Sequence, residues 1–289
     1  MKRALLGLVL AAIFLATVIP LDRQMTDRPV VVKLGYTPSP GVLRLTAGEF
    51  KPLLAEVEVL RVMFYFGSLV ENWQKRIQVP PEYANMFRTI ETAVHLDPYN
   101  MDAYYFAQAA FTWRVGHAAD VNRLLEYGMR YRTQDWMLPY FAGFNAAYFL
   151  HDYRQAAEYM KQAAELSDQP LLTTLTSRFF YQSGREKMGI AFLKDMIARS
   201  RDRQEKQLYE LRLKALQALQ EIATAVQKYR KDQGRRPADV GKLVSGGYLG
   251  RIPQDPYGGT FYLDEKGRVK TTSKLAPGYS QSRKGKSHE

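Results

Sequence analysis

A recurrence of 35 residues constrains this chain more than any other feature. Ala93, Gly128 and Ala163 stand 35 residues apart, and Ile90, Leu125 and Met160 precede them at the same spacing. A shorter fourth unit brings Leu193 and Met196 to the equivalent place, 33 residues on from Met160 in the case of Leu193. Between Phe50 and about Arg201 the apolar residues recur every three or four positions, the period of a helix with one buried face. A fixed period of this length marks a repeat architecture, in which each helix pair leaves an apolar stripe for its neighbour to cover. The third unit, His151 to Ala163, is the clearest. There Ala156 lets a second helix come close, Met160 fills the space behind it, and Ala163 admits the next unit.

The flanks read differently. Met1-Lys2-Arg3 precedes an uncharged apolar run from Ala4 to Pro20, followed by Asp22 and Arg23. Seventeen residues lie at the lower limit for crossing a bilayer and exceed a usual signal-peptide core. Phe14, Leu15, Val18 and Ile19 spoil every small-x-small cleavage site, which favours an uncleaved anchor over a removed signal peptide. Lys2 and Arg3 would stay in the cytoplasm, placing everything after Leu21 outside it. Residues 22–49 read as an extended linker, with Pro29 to Val32 and Val42 to Leu45 as short extended pieces around a Thr37-Pro38-Ser39-Pro40-Gly41 turn.

After the repeats, Asp202 to Asp232 predicts one long amphipathic helix. Its apolar face comprises Leu208, Leu211, Ala215, Leu216, Leu219, Ile222, Ala223, Val226 and Tyr229, and Gly234 and Pro237 end it. Phe261-Tyr262-Leu263 and Arg268-Val269-Lys270 flank Asp264 to Gly267, which predicts a hairpin. Pro277 to Glu289 is a basic, Ser/Gly-rich tail expected to lack structure.

The spacing and chemistry of the repeats resemble the tetratricopeptide repeat, a helix–turn–helix unit of about 34 residues. The likeness covers roughly residues 50–201 and is most specific in the second and third units. The first unit has Pro80-Pro81 where the inter-helix glycine is usual, and the second has an extra residue around Val115-Gly116-His117. Leu96-Asp97-Pro98 and Asp135 to Pro139 look like a bacterial group of membrane-anchored repeat proteins. A second resemblance lies at residues 212–273. Ala225, Tyr229, Asp232-Gln233-Gly234, Gly247-Tyr248-Leu249 and Ile252-Pro253-Gln254-Asp255-Pro256-Tyr257-Gly258 are similar to the globular part of a type II secretion major pseudopilin. The apolar assembly helix of such proteins is missing, and Thr271 to Lys274 offers no carboxylate for their calcium loop, so only the small α+β shape is implied.

The expected fold is therefore mainly α. An N-terminal membrane helix (1–21) and an extended linker (22–49) lead to a tetratricopeptide-like solenoid of antiparallel helix pairs (50–201). A long helix with a pseudopilin-like α+β module (202–275) and a disordered basic tail (276–289) complete it.

Chemistry is hard to find along the chain. It has no cysteine, which excludes disulfides, thiol catalysis and thiolate metal sites. His95, His117, His151 and His288 have no zinc-helix spacing, and no metal or other cofactor is expected. Gly285-Lys286-Ser287 lacks the upstream glycine and strand of a phosphate loop, and Gly-x-Ser-x-Gly does not occur. Glu56 and Glu58 point to different faces of a helix start, and Asp97 and Asp102 sit at helix boundaries, where capping is the usual role.

What remains is a surface. The resemblance implies that the inner helix of each pair lines a groove, with Tyr105, Thr112 and Trp113 in unit two, Phe141, Asn145, Tyr148 and Phe149 in unit three, and Arg178 and Tyr181 in unit four. Aromatics beside amide and guanidinium groups suit an extended peptide. The expectation is a non-catalytic scaffold anchored in the bacterial inner membrane through residues 4–20, with its bulk in the periplasm, or released there if the signal is cleaved. It would hold a protein partner that belongs to an envelope machine for secretion or pilus assembly. Alternatives are a module binding glycan or envelope polymer and an undetected hydrolase. Residues 199–289 carry 20 Lys/Arg against 10 Asp/Glu, while the first 198 carry 21 against 19, so the basic third offers a contact for an anionic surface. Nucleic acid is not expected.

Overall fold

The computed structural model describes residues 10, 13–21, 33–74, 82–113 and 117–275. The chain is mainly helical, with one small two-stranded antiparallel sheet near its C-terminal end. A helix over Pro40–Ala47 (α1) and a single 3-10 turn lead into Lys51–Gln74 (α2). Seven helices of 11–14 residues follow: Tyr83–Leu96 (α3), Met101–Phe111 (α4), Ala118–Met129 (α5), Met137–Tyr148 (α6), Tyr153–Glu165 (α7), Pro170–Gln182 (α8) and Glu186–Arg199 (α9). The 31-residue Arg203–Gln233 (α10) and the short Gly241–Ser245 (α11) precede strands Phe261–Leu263 (β1) and Val269–Thr271 (β2).

From α2 to α10 every helix packs on the next. The positions of the 35-residue recurrence share one environment: Ile90, Ala93, Leu125, Met160, Ala163 and Leu193 are buried in equivalent helices. Gly128 shows why small residues recur there. A methyl group on it would lie 2.6 Å from the ring of Tyr104, which is itself fully buried with its hydroxyl donating to the Pro98 carbonyl at 3.0 Å. The apolar interior forms two clusters. One runs from Leu34 to Ala142 and the other from Ala146 to Leu275, so α6 contributes to both.

The segment 22–49 is a departure from expectation. Residues 22–32 lie outside the described residues, and Val42 to Leu45 is helical rather than extended. Pro40 occupies the first turn of α1, where its fixed φ and missing N–H suit a helix start as well as a turn. Nor is the stretch a free linker. Leu34 is buried, the Thr37 and Thr89 hydroxyls are 2.7 Å apart, and Arg44 Nε donates to the His95 carbonyl at 2.9 Å. Among the described residues no helix is long and apolar enough to cross a membrane. Of the apolar run 4–20, only residues 10 and 13–20 are described; they are helical, and Leu10, Ile13, Phe14 and Ile19 are exposed.

The long helix follows its sequence signals. Asp202 caps it by accepting from the N–H groups of Gln204 and Glu205, and Gly234 closes it at φ 64°. Its buried face differs in detail: Tyr209, Arg212 and Ala225 lie inward, whereas Leu208 and Leu211 are half-exposed. Arg212 is a buried cation that no carboxylate among the described residues pairs with. It donates to the Thr174 carbonyl at 3.3 Å and the Leu275 carbonyl at 2.9 Å and lies 5.7 Å from the Tyr257 ring centre. Burial holds its pKa below the usual arginine range.

The hairpin is one residue out of the expected register, with Phe261 opposite Thr271 and Leu263 opposite Val269. Thr271 is drawn into the strand because its hydroxyl donates to the buried Asp255 carboxylate, which also accepts from the Ser273 hydroxyl at 2.7 Å and the Tyr257 N–H at 2.8 Å. The Pro-x-Asp-Pro-Tyr-Gly-Gly run is thus a knot around Asp255. Gly259 fits it because a methyl group there would lie 2.6 Å from the Asp255 carboxylate. The tail, 276–289, lies outside the described residues.

Replacing Gly128 with Ala should lower stability by about 1–3 kcal/mol, despite the helix preference for Ala, because the pinned Tyr104 ring cannot withdraw. Urea unfolding of G128A, with and without Tyr104→Leu, checks this; the second change should recover part of the loss.

Candidate functional site

Residues of α4 and α6 that face away from the core form an aromatic surface. Along α4 the exposed positions are Asp102, Tyr105 and Ala109, and Trp113 follows just beyond its end. Tyr105, Trp113 and Tyr148 are 59%, 63% and 58% exposed, high values for such large side chains. They meet residues of the neighbouring helix in pairs. Tyr105 lies 6.3 Å from Phe141, and Trp113 lies 6.1 Å from Tyr148 and 5.3 Å from Phe149. Phe144 stacks on Tyr148 at 5.4 Å with the planes 10° apart, so Tyr148 is held in place while its other side faces outward. The 35- or 36-residue offset within each pair is the repeat period, which brings equivalent positions side by side.

Tyr105 and Trp113 are eight residues apart, about 12 Å along a helix axis. That is nearly four residues of extended chain, and alternation would turn residues i and i+4 of such a chain to the same side. The small Ala109 between the pairs leaves backbone room.

Three of the residues expected in the groove lie elsewhere. Asn145 is fully buried in an amide layer: its Nδ2 donates to Gln108 Oε1 at 2.8 Å and to Asn122 Oδ1 at 2.9 Å, while Gln108 Nε2 donates to Asn145 Oδ1 at 2.9 Å. Asn122 Nδ2 completes the layer by donating to the Ala142 carbonyl at 3.1 Å. The amide is committed to α4 and α5, so it cannot serve a partner. Thr112 is fully buried at the end of α4. Tyr181 is covered by the hairpin: the Thr271 N–H donates to its hydroxyl at 3.2 Å, and Lys270 Nζ lies 4.6 Å from its ring centre. Arg178, one turn earlier on α8, is exposed. The usable surface therefore runs over α4 and α6 and ends where the C-terminal module covers α8. The notable residue overlooked in the sequence is Phe144, whose 35-residue offset from Ala109 carried no aromatic signal.

Of the four carboxylates weighed in the sequence, Glu56, Glu58 and Asp97 have structural partners. Glu58 is buried with Arg61 at 2.9 Å, Glu56 accepts from Asn100 Nδ2 at 2.8 Å, and Asn100 rather than Asp102 caps α4. Asp97 accepts from the Tyr99 N–H at 2.9 Å. Among the described residues no group of three or more His, Asp or Glu is placed to hold a metal ion. The chain matches no protein-family model, no curated protein and no solved structure.

Asn145→Ala should cost about 2–3 kcal/mol, since it strands Gln108 and Asn122 without partners inside the core. Trp113→Ala, at an exposed position, should cost under about 1 kcal/mol; chemical denaturation compares them. Burial pushes the Tyr181 phenol up from 10.0 to about 12. With the folded value above the unfolded one, its contribution is complete below pH 10 and is lost as pH rises towards 12. Tyr181→Phe should therefore flatten the fall in stability over that window by on the order of 2 kcal/mol. Thermal melts from pH 9 to 12 measure this against the opposite effect of Lys270, whose ammonium burial holds below its usual pKa.

Proposed function

We propose that this chain is a non-catalytic scaffold of the cell envelope that holds an extended segment of a partner protein against the aromatic surface of α4 and α6. The observation that carries this reading is the pair of outward aromatic clusters, Tyr105 with Phe141 and Trp113 with Tyr148, set one repeat apart on each side and about four extended residues apart along it. Flat rings buttressed from behind bury apolar side chains at low entropic cost, and exposed Arg178 at the border supplies a charge for a carboxylate or a carbonyl.

The helix pairs are of tetratricopeptide type in this reading, on the strength of the 35-residue period and the close approach at Gly128. Residues 4–20 act as the membrane anchor, with Lys2 and Arg3 on the cytoplasmic side, and place the repeats in the periplasm. The module after Gly234 is pseudopilin-like in this reading, on the strength of the Gly247-Tyr248-Leu249 and Ile252-to-Gly258 motifs, and its place is beside a secretion or pilus machine.

A photo-crosslinking residue at position 109, between the two clusters, tests the proposal in intact envelopes. Expected is a small set of discrete protein adducts, reduced about tenfold by Trp113→Ala with Tyr148→Ala while the helical spectrum is retained. Adducts to polysaccharide instead of protein would assign the rings to sugar stacking and sink the scaffold reading.

A further inference from the structure

The end of α10 and the short α11 border a groove of about 390 Å3 that the proposed function does not use. Its charged lining is entirely cationic: Arg235 and Arg236, on the connection after Gly234, and Lys242, on α11. All three are exposed, and none forms an ion pair among the described residues. Arg268 of the same module is different, since it is paired with Asp264 at 2.8 Å. Asp239, beside the groove, is turned to the backbone, where its carboxylate accepts from the Lys242 N–H at 2.8 Å. Helix ends account for part of the positive charge but not for this part. Arg230 and Lys231 occupy the last turn of α10, where cations offset the helix dipole. Arg235 and Arg236 follow the left-handed Gly234, after the helix has ended, and Lys242 belongs to another element.

We propose that this groove binds a phosphate ester. Three cationic groups from two elements suit a group with several charged oxygens better than a carboxylate with two. Arg236 is held in place by the hairpin: its Nη1 donates to the Glu265 carbonyl at 3.3 Å, which leaves its other N–H groups for an oxyanion. Gln233 Nε2 donates to the Tyr248 hydroxyl at 3.2 Å, so the phenol proton is free to meet a further acceptor. Tyr248 and Tyr229, edge to face at 5.1 Å, form an aromatic wall for the esterified alcohol. The groove has the volume of a small-molecule site and exceeds what a bare phosphate ion fills.

The surroundings favour an anion before it makes contact. Residues 228–242 carry six Lys/Arg against two Asp, a field that raises the local concentration of negative ligands. Soluble alcohol phosphates and the headgroup of an anionic phospholipid share the chemistry this groove fits. The site lies on the C-terminal module, and the proposal stands whether or not the aromatic surface holds a partner.

Calorimetric titration of the full-length chain in a neutral detergent tests this with two probes, glycerol 3-phosphate and phosphatidylglycerol in mixed micelles. Saturable one-to-one binding of at least one probe is expected, weakened at least about tenfold by Arg235→Gln with Lys242→Gln. Arg203→Gln with Lys214→Gln removes the same charge from exposed positions of α10 outside the groove, and should leave affinity within about twofold. All four positions are exposed, so each variant should keep its helical spectrum. Binding of glycerol 3-phosphate assigns the site to soluble esters, and binding of phosphatidylglycerol alone assigns it to a lipid headgroup. Binding of neither probe, or equal losses from the two pairs of substitutions, overturns the proposal. So does a glutamate-rich peptide that binds more tightly than either ester, which would make the groove a contact for an acidic protein.

Discussion

A helix pair with one apolar stripe has an open flank, and the architecture follows from which element closes it. Inside the stack the next pair does so, close enough that the Asn122 amide of α5 donates to the Ala142 carbonyl of α6 at 3.1 Å. At the C-terminal end the closing element is α10, which packs on α8 and α9 and carries the Asp255 knot and hairpin with it. At the other end, residues 33–39 and α1 cover part of α3, but nothing among the described residues covers the stripe of Leu53, Val57, Leu60 and Phe64 on α2. The two ends of one stack are therefore finished differently, one by the chain itself and the other with an apolar helix face turned outward.

Polar groups inside this structure sit at joints. Arg212 illustrates the principle. A buried guanidinium is tolerable only when its donors find acceptors. Its acceptors come from two separate places, the Thr174 carbonyl on α8 and the Leu275 carbonyl at the end of the module. Lifting the module away would strand a cation in the core. The module is thus energetically bound to the last repeats, and Tyr181, under the hairpin, belongs to that joint rather than to a groove.

The sequence was most legible where signals are local. Asp202 and Gly234 bracket α10 because a capping carboxylate and a left-handed glycine act within one turn of the helix end. The repeat spacing was legible for a related reason, since burial recurs at Ile90, Leu125 and Met160. Signals that depend on distant partners misled. Pro38-Ser39-Pro40 fits a turn or a helix start equally well, and only contacts with α3 decide between them. Asn145 and Thr112 look like surface polar groups by residue type, yet Asn145 is satisfied by Gln108, 37 residues away. The aromatic surface was half legible: Tyr105, Trp113 and Tyr148 could be placed by alignment to the repeat that the sequence resembles, whereas the buttressing by Phe144 required knowing how α6 turns.

The amide layer has a consequence for the surface above it. Gln108, Asn122 and Asn145 satisfy one another in one alignment of α4, α5 and α6, and a slide of one turn would leave them dry and unpaired. Tyr105 and Trp113 ride on or beside one of those helices, and Phe141 and Tyr148 on another. Hidden carboxamides thereby act as the pins of a gauge. They fix the gap between two sets of rings, so that whatever is measured against it meets a ruler that does not stretch.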